Sequence, residues 1–282
     1  MSDTCHICNS SKLAYNHKYF SFPIIKCNQC GFIRATKTPS EVKLIEYYSI
    51  YSYDKDSGVD QITLTRYQEI LKKIKPYQKT NKLLDFGCGL GHFLEAAKEE
   101  NWDVYGYELS QKANELLIDK NIKTICEEEF TQYNNQFDVI ICIEVIEHVT
   151  HPLETIFQIQ KLLRSGGILY LTTPNIKNFS LSYMKNKEFF ITYPEHLNYF
   201  TVKSIRKILD PYFNILHLKT TGIIPYRRSV STNEVAINIQ DLDHCKVKLE
   251  SRFGFKLLKS IINALLNLVK RGDTIKVFAI KH

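Results

Sequence analysis

Short apolar runs alternate with amphipathic ones between residues 82 and 172, and that rhythm constrains the fold more than any other feature of the chain. Residues 82–86, 103–107, 122–126, 137–143 and 167–172 read as strands. Residues 93–100, 111–120 and 153–163 read as helices, the last with Leu153, Ile156, Phe157, Ile159, Leu162 and Leu163 on its apolar positions. Strands joined by helical crossovers run parallel, so an α/β fold with a doubly wound, mostly parallel sheet is expected. Residues 201–209 read as a helix capped by Thr201, and residues 257–269 as a dense apolar helix. Residues 213–219 and 274–280 read as two more strands, which brings the sheet to seven. Ligands of such sheets bind outside the carboxyl ends of the strands.

The first strand runs into LDFGCGLGHF, residues 84–93. Gly87, Gly89 and Gly91 alternate there and let the backbone come close to a ligand. The following helix offers N–H groups to a carboxylate or phosphate. Glu108 ends the second strand, where a carboxylate suits two ribose hydroxyls. A dinucleotide site wants G-x-G-x-x-G, whereas this turn is G-x-G-x-G behind an acid, Asp85.

The turn resembles motif I of the class I S-adenosylmethionine-dependent methyltransferases. So does FDVIICIEVIEHVTHPLETIFQIQKLLRSGGILYLTTPN, residues 137–175. The resemblance runs from residue 80 to residue 175 and implies a Rossmann-like methyltransferase fold with S-adenosylmethionine as cofactor. It implies that Gly87, Cys88, Gly89 and Gly91 line the methionine and ribose portion. Asp85 would hold the turn and help bind the amino group. Glu108 would take the ribose hydroxyls, Leu109 would lie beside the adenine, and Glu128, within residues 127–130, would approach the adenine edge.

Two acid–histidine clusters follow. Glu144, Glu147 and His148 share one face if residues 144–148 are helical. Two carboxylates and an imidazole can hold a divalent cation, as the matching residues do in some quinone O-methyltransferases that this segment resembles. His148 can equally serve as a general base or orient a substrate, and a solvated helix start is the plain alternative. Residues 193–201 read YPEHLNYFT, where Glu195 and His196 can form an acid–base pair over a substrate or belong to a loop that caps the next helix.

The chain has 8 cysteines, four of them in two Cys-x-x-Cys pairs, Cys5 with Cys8 and Cys27 with Cys30. Two such turns make a tetrahedral four-sulfur site for structural zinc, with Asn9 and Gly31 as turn residues and no open position for catalysis. His6 and His17 are possible substitute ligands. Cys88, Cys126, Cys142 and Cys245 have no metal spacing. The expected division is a zinc module over residues 1–40, a helical and Tyr-rich lid over 41–79, and a methyltransferase domain over 80–282 with a substrate-binding insertion near 175–235. The cysteine pairs, the Tyr-rich residues 47–53 and the Glu-His pair together resemble methyltransferases with an N-terminal zinc module, some of which methylate nucleotide-linked sugars at carbon or oxygen. That resemblance implies Tyr51 or Tyr53, Glu147, His148, Glu195 and His196 as active-site polar groups. Pro194 stands where C-methylating members usually carry histidine, and those members have a long further C-terminal domain, so O-methylation is expected at least as much.

The formal charge of +7 is mild, with 37 basic against 30 acidic residues. It suits a phosphate-bearing sugar or lipid-linked acceptor. A zinc module also precedes the core of some rRNA base methyltransferases. Here residues 1–80 hold no basic cluster, and no (N/D)-P-P-(Y/F) signature follows the fourth strand, so a nucleic-acid partner is not expected. Residues 255–270 can lie on a bilayer as an amphipathic helix or pack against the sheet. The start of the sequence has no secretory pattern, no run of apolar residues is long enough to span a bilayer, and a cytoplasmic location is expected.

Overall fold

The computed structural model describes residues 4–16, 22–40, 43–44, 58–183, 192–222 and 253–282. Its larger sheet is built from β4 (Lys82–Phe86), β5 (Asp103–Tyr107), β6 (Lys123–Thr124), β7 (Phe137–Ile143), β8 (Leu163–Pro174), β10 (Phe213–Thr221) and β11 (Thr274–Lys281). The order is β10-β11-β8-β7-β4-β5-β6. The strands from β8 to β6 pair parallel, and β11 returns antiparallel between β8 and β10. This is the doubly wound, seven-stranded, mostly parallel sheet of the Rossmann-like methyltransferase fold. The smaller sheet contains β1 (Leu13–Asn16), β2 (Ile24–Cys27), β3 (Ile33–Ala35) and β9 (Asn198–Tyr199), in that order.

The helices are α1 (Gln61–Ile74), α2 (His92–Glu99), α3 (Gln111–Asp119), α4 (Pro152–Leu162), α5 (Ser180–Tyr183), α6 (Val202–Leu209) and α7 (Phe253–Leu268). Their starts follow local chemistry. Asp60 accepts the Ile62 and Thr63 amides at 2.8 and 3.0 Å ahead of α1. Thr201 accepts the Ser204 amide at 3.1 Å ahead of α6. Pro76 follows α1 in a 3-10 turn (Lys75–Tyr77), since proline cannot continue the ladder of hydrogen bonds.

Two cores sandwich the large sheet. One gathers α1, α2 and α3 on Leu83, Val139, Ile141 and Ile168. The other gathers α4, α6 and the cysteine turns on Leu84, Ile140, Cys142 and Leu171. Adjacent residues of a strand face opposite cores, as the pleat requires. Buried Asp138 pins the entry to β4: its Oδ2 accepts the amides of Lys79, Thr80 and Asn81 at 2.6–2.9 Å, and Arg164 pairs with Oδ1.

Two expectations change. Residues 122–126 do not form a full strand. At the sheet edge only Lys123 and Thr124 pair, with Tyr105 and Gly106, and the chain then turns into the 3-10 helix Glu127–Tyr133. Residues 144–148 are not a helix, because Glu144 leaves β7 at φ +53° and a tight turn follows. Helix α7 packs on β10, one of its two expected placements, through polar groups as well as apolar ones. Asn263 and Asn267 accept the amides of Gly222 and Thr220 at 2.9 and 3.0 Å, Leu266 is buried, and Ile261, Leu265 and Leu268 are exposed. No helix among the described residues is long and apolar enough to cross a membrane.

Candidate functional site

The glycine turn joins β4 to α2, with Gly87, Gly89 and Gly91 at φ of +81, +51 and +73°. A Cβ on Gly87 would sit 2.5 Å from Val145, and one on Gly91 would sit 2.4 Å from Leu117. These two glycines therefore let the turn pack down onto its own neighbours, while the main chain remains the face it presents outward. Cys88 sends its thiol under the turn towards Gly106, where an added Cβ would lie 2.7 Å from the sulfur, so any cofactor contact at Cys88 falls to its backbone.

Glu108, just past β5, accepts the Gly89 amide on Oε2 and the Ser110 amide on Oε1, both at 2.9 Å. The carboxylate is thus fixed against the glycine turn, and each oxygen keeps a further lone pair for a hydroxyl. Asp85 lies buried beneath the turn. Burial first, and the charge of Glu108 second, push its carboxyl up to about 7. Leu109 is 53% exposed beside Glu108. Glu128 is exposed on the 3-10 helix, and Phe86, Tyr107 and Phe130 cluster with tilted or edge-on rings, centroids 4.5–6.1 Å apart. The buried acid, the fixed carboxylate and the N–H groups of the turn offer acceptors and donors of the kind that fit S-adenosylmethionine. When bound, that cofactor supplies a methyl group on a positive sulfur.

The second half of the site lies at the carboxyl ends of β7 and β8. Glu144 Oε1 accepts from Thr172 Oγ1 at 2.7 Å, and Glu147 Oε2 from Thr173 Oγ1 at 2.9 Å. Glu147 is buried, whereas Glu144 is exposed over part of its surface. Loss of solvation pushes both carboxyls up, and their mutual contact leaves Glu147 the more raised. Glu147 Oε1 is buried with no hydrogen-bond partner among the described residues, 3.9 Å from His148 Nε2. His148 places Nδ1 2.9 Å from the main-chain oxygen of Glu195. A carbonyl can only accept, so Nδ1 carries the proton and Nε2 is the basic nitrogen.

The His196 ring stands edge-on to His148, with centroids 4.7 Å apart. Burial, and then the neighbouring His148, lower His196 to about 4. Burial lowers His148 as well. Glu147, His148 and His196 also offer ligand atoms within 4.8 Å of one another. The residues expected from two distant sequence segments therefore meet. Tyr51 and Tyr53 lie outside the described residues, as do His17, Cys245, residues 41–42 and 45–57 of the expected lid, and residues 184–191 and 223–235 of the expected insertion.

Three residues of this site have no counterpart among the expected ones. Thr172 and Thr173 bind the two glutamates, and Asn198 donates through Nδ2 to Val149 O at 2.6 Å and Ile146 O at 3.3 Å. The signal for the threonines was present: two polar residues end an otherwise apolar strand beside the acid cluster.

The cysteine turns also come together. Cys5 and Cys30 Sγ lie 3.6 Å apart, as do Cys8 and Cys27, and all four sulfurs lie within 4.8 Å. A tetrahedron of sulfurs about 2.3 Å from zinc has edges of about 3.8 Å, so the donor set fits that ion. The Cys5 thiol falls to about 5, chiefly through its hydrogen bond with Cys30. Asn9 and Gly31 turn at φ +55 and +77°.

The fold and this double site define a class I methyltransferase. The sequence profile of the methyltransferase-domain family matches residues 60–214, and the chain belongs to that family. A ubiquinone biosynthesis O-methyltransferase of Histophilus somni is 33% identical over 155 residues, covering 49% of this chain and 64% of its own. The chain thus spans less than two thirds of that relative. Among solved structures, a SAM-dependent methyltransferase from Archaeoglobus fulgidus superposes with a TM-score of 0.53 at 16% identity, over 79% of this chain and 95% of its own. Phosphoethanolamine N-methyltransferase 2 of Haemonchus contortus, solved with S-adenosyl-L-methionine, gives 0.51 at 16% identity, over 77% and 52%. At such identities the likeness is one of fold.

Proposed function

We propose that the protein moves the methyl group of S-adenosylmethionine to a small acceptor, a sugar or a nucleotide-linked or surface-glycan sugar precursor, at oxygen or at an acidic carbon. The observation that carries this reading is the meeting of His148 and His196 at the carboxyl end of β7, with ring centroids 4.7 Å apart. Direct displacement of a methyl group needs alignment of the acceptor and removal of its proton. His148 Nε2 takes the hydroxyl proton in O-methylation, with the Glu147 carboxyl 3.9 Å away. His196 is the base for a carbon-bound proton in C-methylation. The pair shares one proton at most, since each imidazolium would repel the other.

A cleft of about 470 Å³ adjoins the Glu195-His196 segment, lined by Lys37, Thr38, Ser40, Lys43, Tyr193 and Pro194. Its size suits a small ligand, and its two ammonium groups suit a phosphate-bearing one. In the same reading the four cysteines hold structural zinc, and the enzyme works in the cytoplasm.

The relatives named for ubiquinone biosynthesis favour a second reading, O-methylation of a quinone-type acceptor at a membrane surface. The exposed Ile261, Leu265 and Leu268 of α7 suit such a surface. The test is the full chain with radiolabelled S-adenosylmethionine against nucleotide-linked sugars and polyprenyl catechols. Label in a sugar product supports the first reading. Label in the catechol alone replaces it with the second, and failure to bind S-adenosylmethionine in calorimetry overturns both.

A further inference from the structure

The segment that carries His196 is built into the sheet of the cysteine module. β9 pairs antiparallel with β3, Ile33 opposite Tyr199 and Arg34 opposite Asn198. The Ala35 amide donates to Leu197 O at 2.9 Å, one residue beyond His196. Phe32 packs on Phe200 with centroids 5.3 Å apart. Thr201, the cap of α6, donates through Oγ1 to the carbonyl oxygen of Cys30 at 3.4 Å. A Cβ on Gly31 would lie 3.2 Å from that same Oγ1.

The other side of the segment is tied to the acid–histidine turn. The amides of Leu197 and Asn198 both donate to Glu147 O, at 2.9 and 3.0 Å, and Tyr199 OH donates to His196 O at 2.9 Å. His196 therefore stands between two anchors. One is the β7 carboxyl end. The other is the turn Cys27–Gly31, which the cysteine pairs Cys5–Cys30 and Cys8–Cys27 hold in shape.

We propose that the four-cysteine cluster is the outer support of His196, so that Cys30, Gly31 and Thr201 are positioning residues for methyl transfer and metal in the cluster sets the rate of that step without touching the cofactor site. The physical ground is the short path. A metal bound to Cys30 Sγ fixes the Cys30–Gly31 peptide, whose carbonyl meets Thr201. Thr201 starts the helix that ends the His196 segment. The cofactor groups Asp85, Glu108 and the glycine turn make none of these contacts and lie in β4, just past β5 and between β4 and α2. Misplacing a reacting group by about 1 Å can cost about a hundredfold in rate. This inference rests on the assignment of His196 to the proton-transfer machinery.

The test uses the full-length protein with metal measured by element analysis and cobalt(II) as a visible reporter of thiolate ligation. The chelator-stripped protein is expected to bind S-adenosylmethionine within about twofold of the loaded protein and to lose kcat by about a hundredfold, with recovery on adding zinc. Gly31→Ala presses on Thr201 and keeps all four thiols. It is expected to hold its metal and its cofactor affinity, to lower kcat more than KM, and to shift the His196 imidazole resonances in NMR. It decides the matter if the stripped protein unfolds. Full kcat in the stripped, folded protein overturns the proposal. So does Gly31→Ala with unaltered kcat and unaltered His196 resonances. If His196→Ala itself keeps full turnover, the assignment beneath the proposal fails instead, which separates the two.

Discussion

His148 Nδ1 sits 2.9 Å from the main-chain oxygen of Glu195, and this contact joins residues 47 positions apart in the chain. It fixes the tautomer of one histidine by the backbone next to another. Because the acceptor is a carbonyl, the contact does not depend on the charge of the Glu195 side chain.

Removal of either histidine should separate binding from turnover. His148→Ala and His196→Ala are expected to bind S-adenosylmethionine as the parent does in calorimetry. At least one of them should lose about 10²- to 10⁴-fold in kcat, the contribution of a positioned general base. Full activity in both variants removes the acid–base assignment.

The acid limb of the pH–rate profile should lie below the ordinary histidine value. A base must be neutral, so activity falls as pH drops through its pKa, and burial lowers both His148 and His196. Stability follows the same sign. His196 falls from 6.5 to about 4 on folding, so the unfolded chain binds its proton first and stability is lost as pH falls from 6.5 towards 4. The loss attributable to this ring is at most roughly 3 kcal/mol. Denaturant midpoints of His196→Gln should vary less over that window than those of the parent.

Asp85 gives the opposite pH lever. Its carboxyl, raised to about 7, is largely protonated in the empty site below that pH. The ammonium of S-adenosylmethionine favours the ionised form, so binding releases a proton. Affinity should fall by up to about tenfold for each unit below pH 7, and Asp85→Asn should bind weakly with a flat profile. Calorimetry in buffers of different ionisation enthalpy reads the released proton directly.

Glu108→Ala should weaken cofactor binding by about a hundredfold, the loss of two hydrogen bonds to a charged acceptor. It also deprives the Gly89 amide of its 2.9 Å partner. An unchanged dissociation constant would place the ribose elsewhere.

Gly91→Ala should destabilise the fold by about 2–4 kcal/mol, through strain at positive φ and overpacking against Leu117. Adding Leu117→Ala should relieve the clash without relieving the backbone strain, so the double variant should not return to parental behaviour in urea melts.

The alternation of strand and helix was legible because β4, β5 and β7 are short and apolar on both faces, and their limits match the sequence pattern residue for residue. The two Cys-x-x-Cys turns were legible because spacing alone brings paired sulfurs together. The shape of residues 144–148 was not. Acids and a histidine at helical spacing also fit a tight turn, and the positive φ of Glu144 has no signature in a residue that rarely adopts it. The pairing of β9 with β3 was equally hidden. Two residues, Asn198 and Tyr199, carry no period, and their partners lie at the far end of the chain.

That pairing also orders events in time. Residues 33–35 leave the ribosome long before Asn198 and Tyr199 exist, and at about 5–20 residues per second the delay is on the order of ten seconds or more. The cysteine turns can form while the sheet beside them still has an open edge at β3. The growing chain then closes that edge with its own later strand, so an earlier-made part of the small sheet waits for a later-made one to finish it.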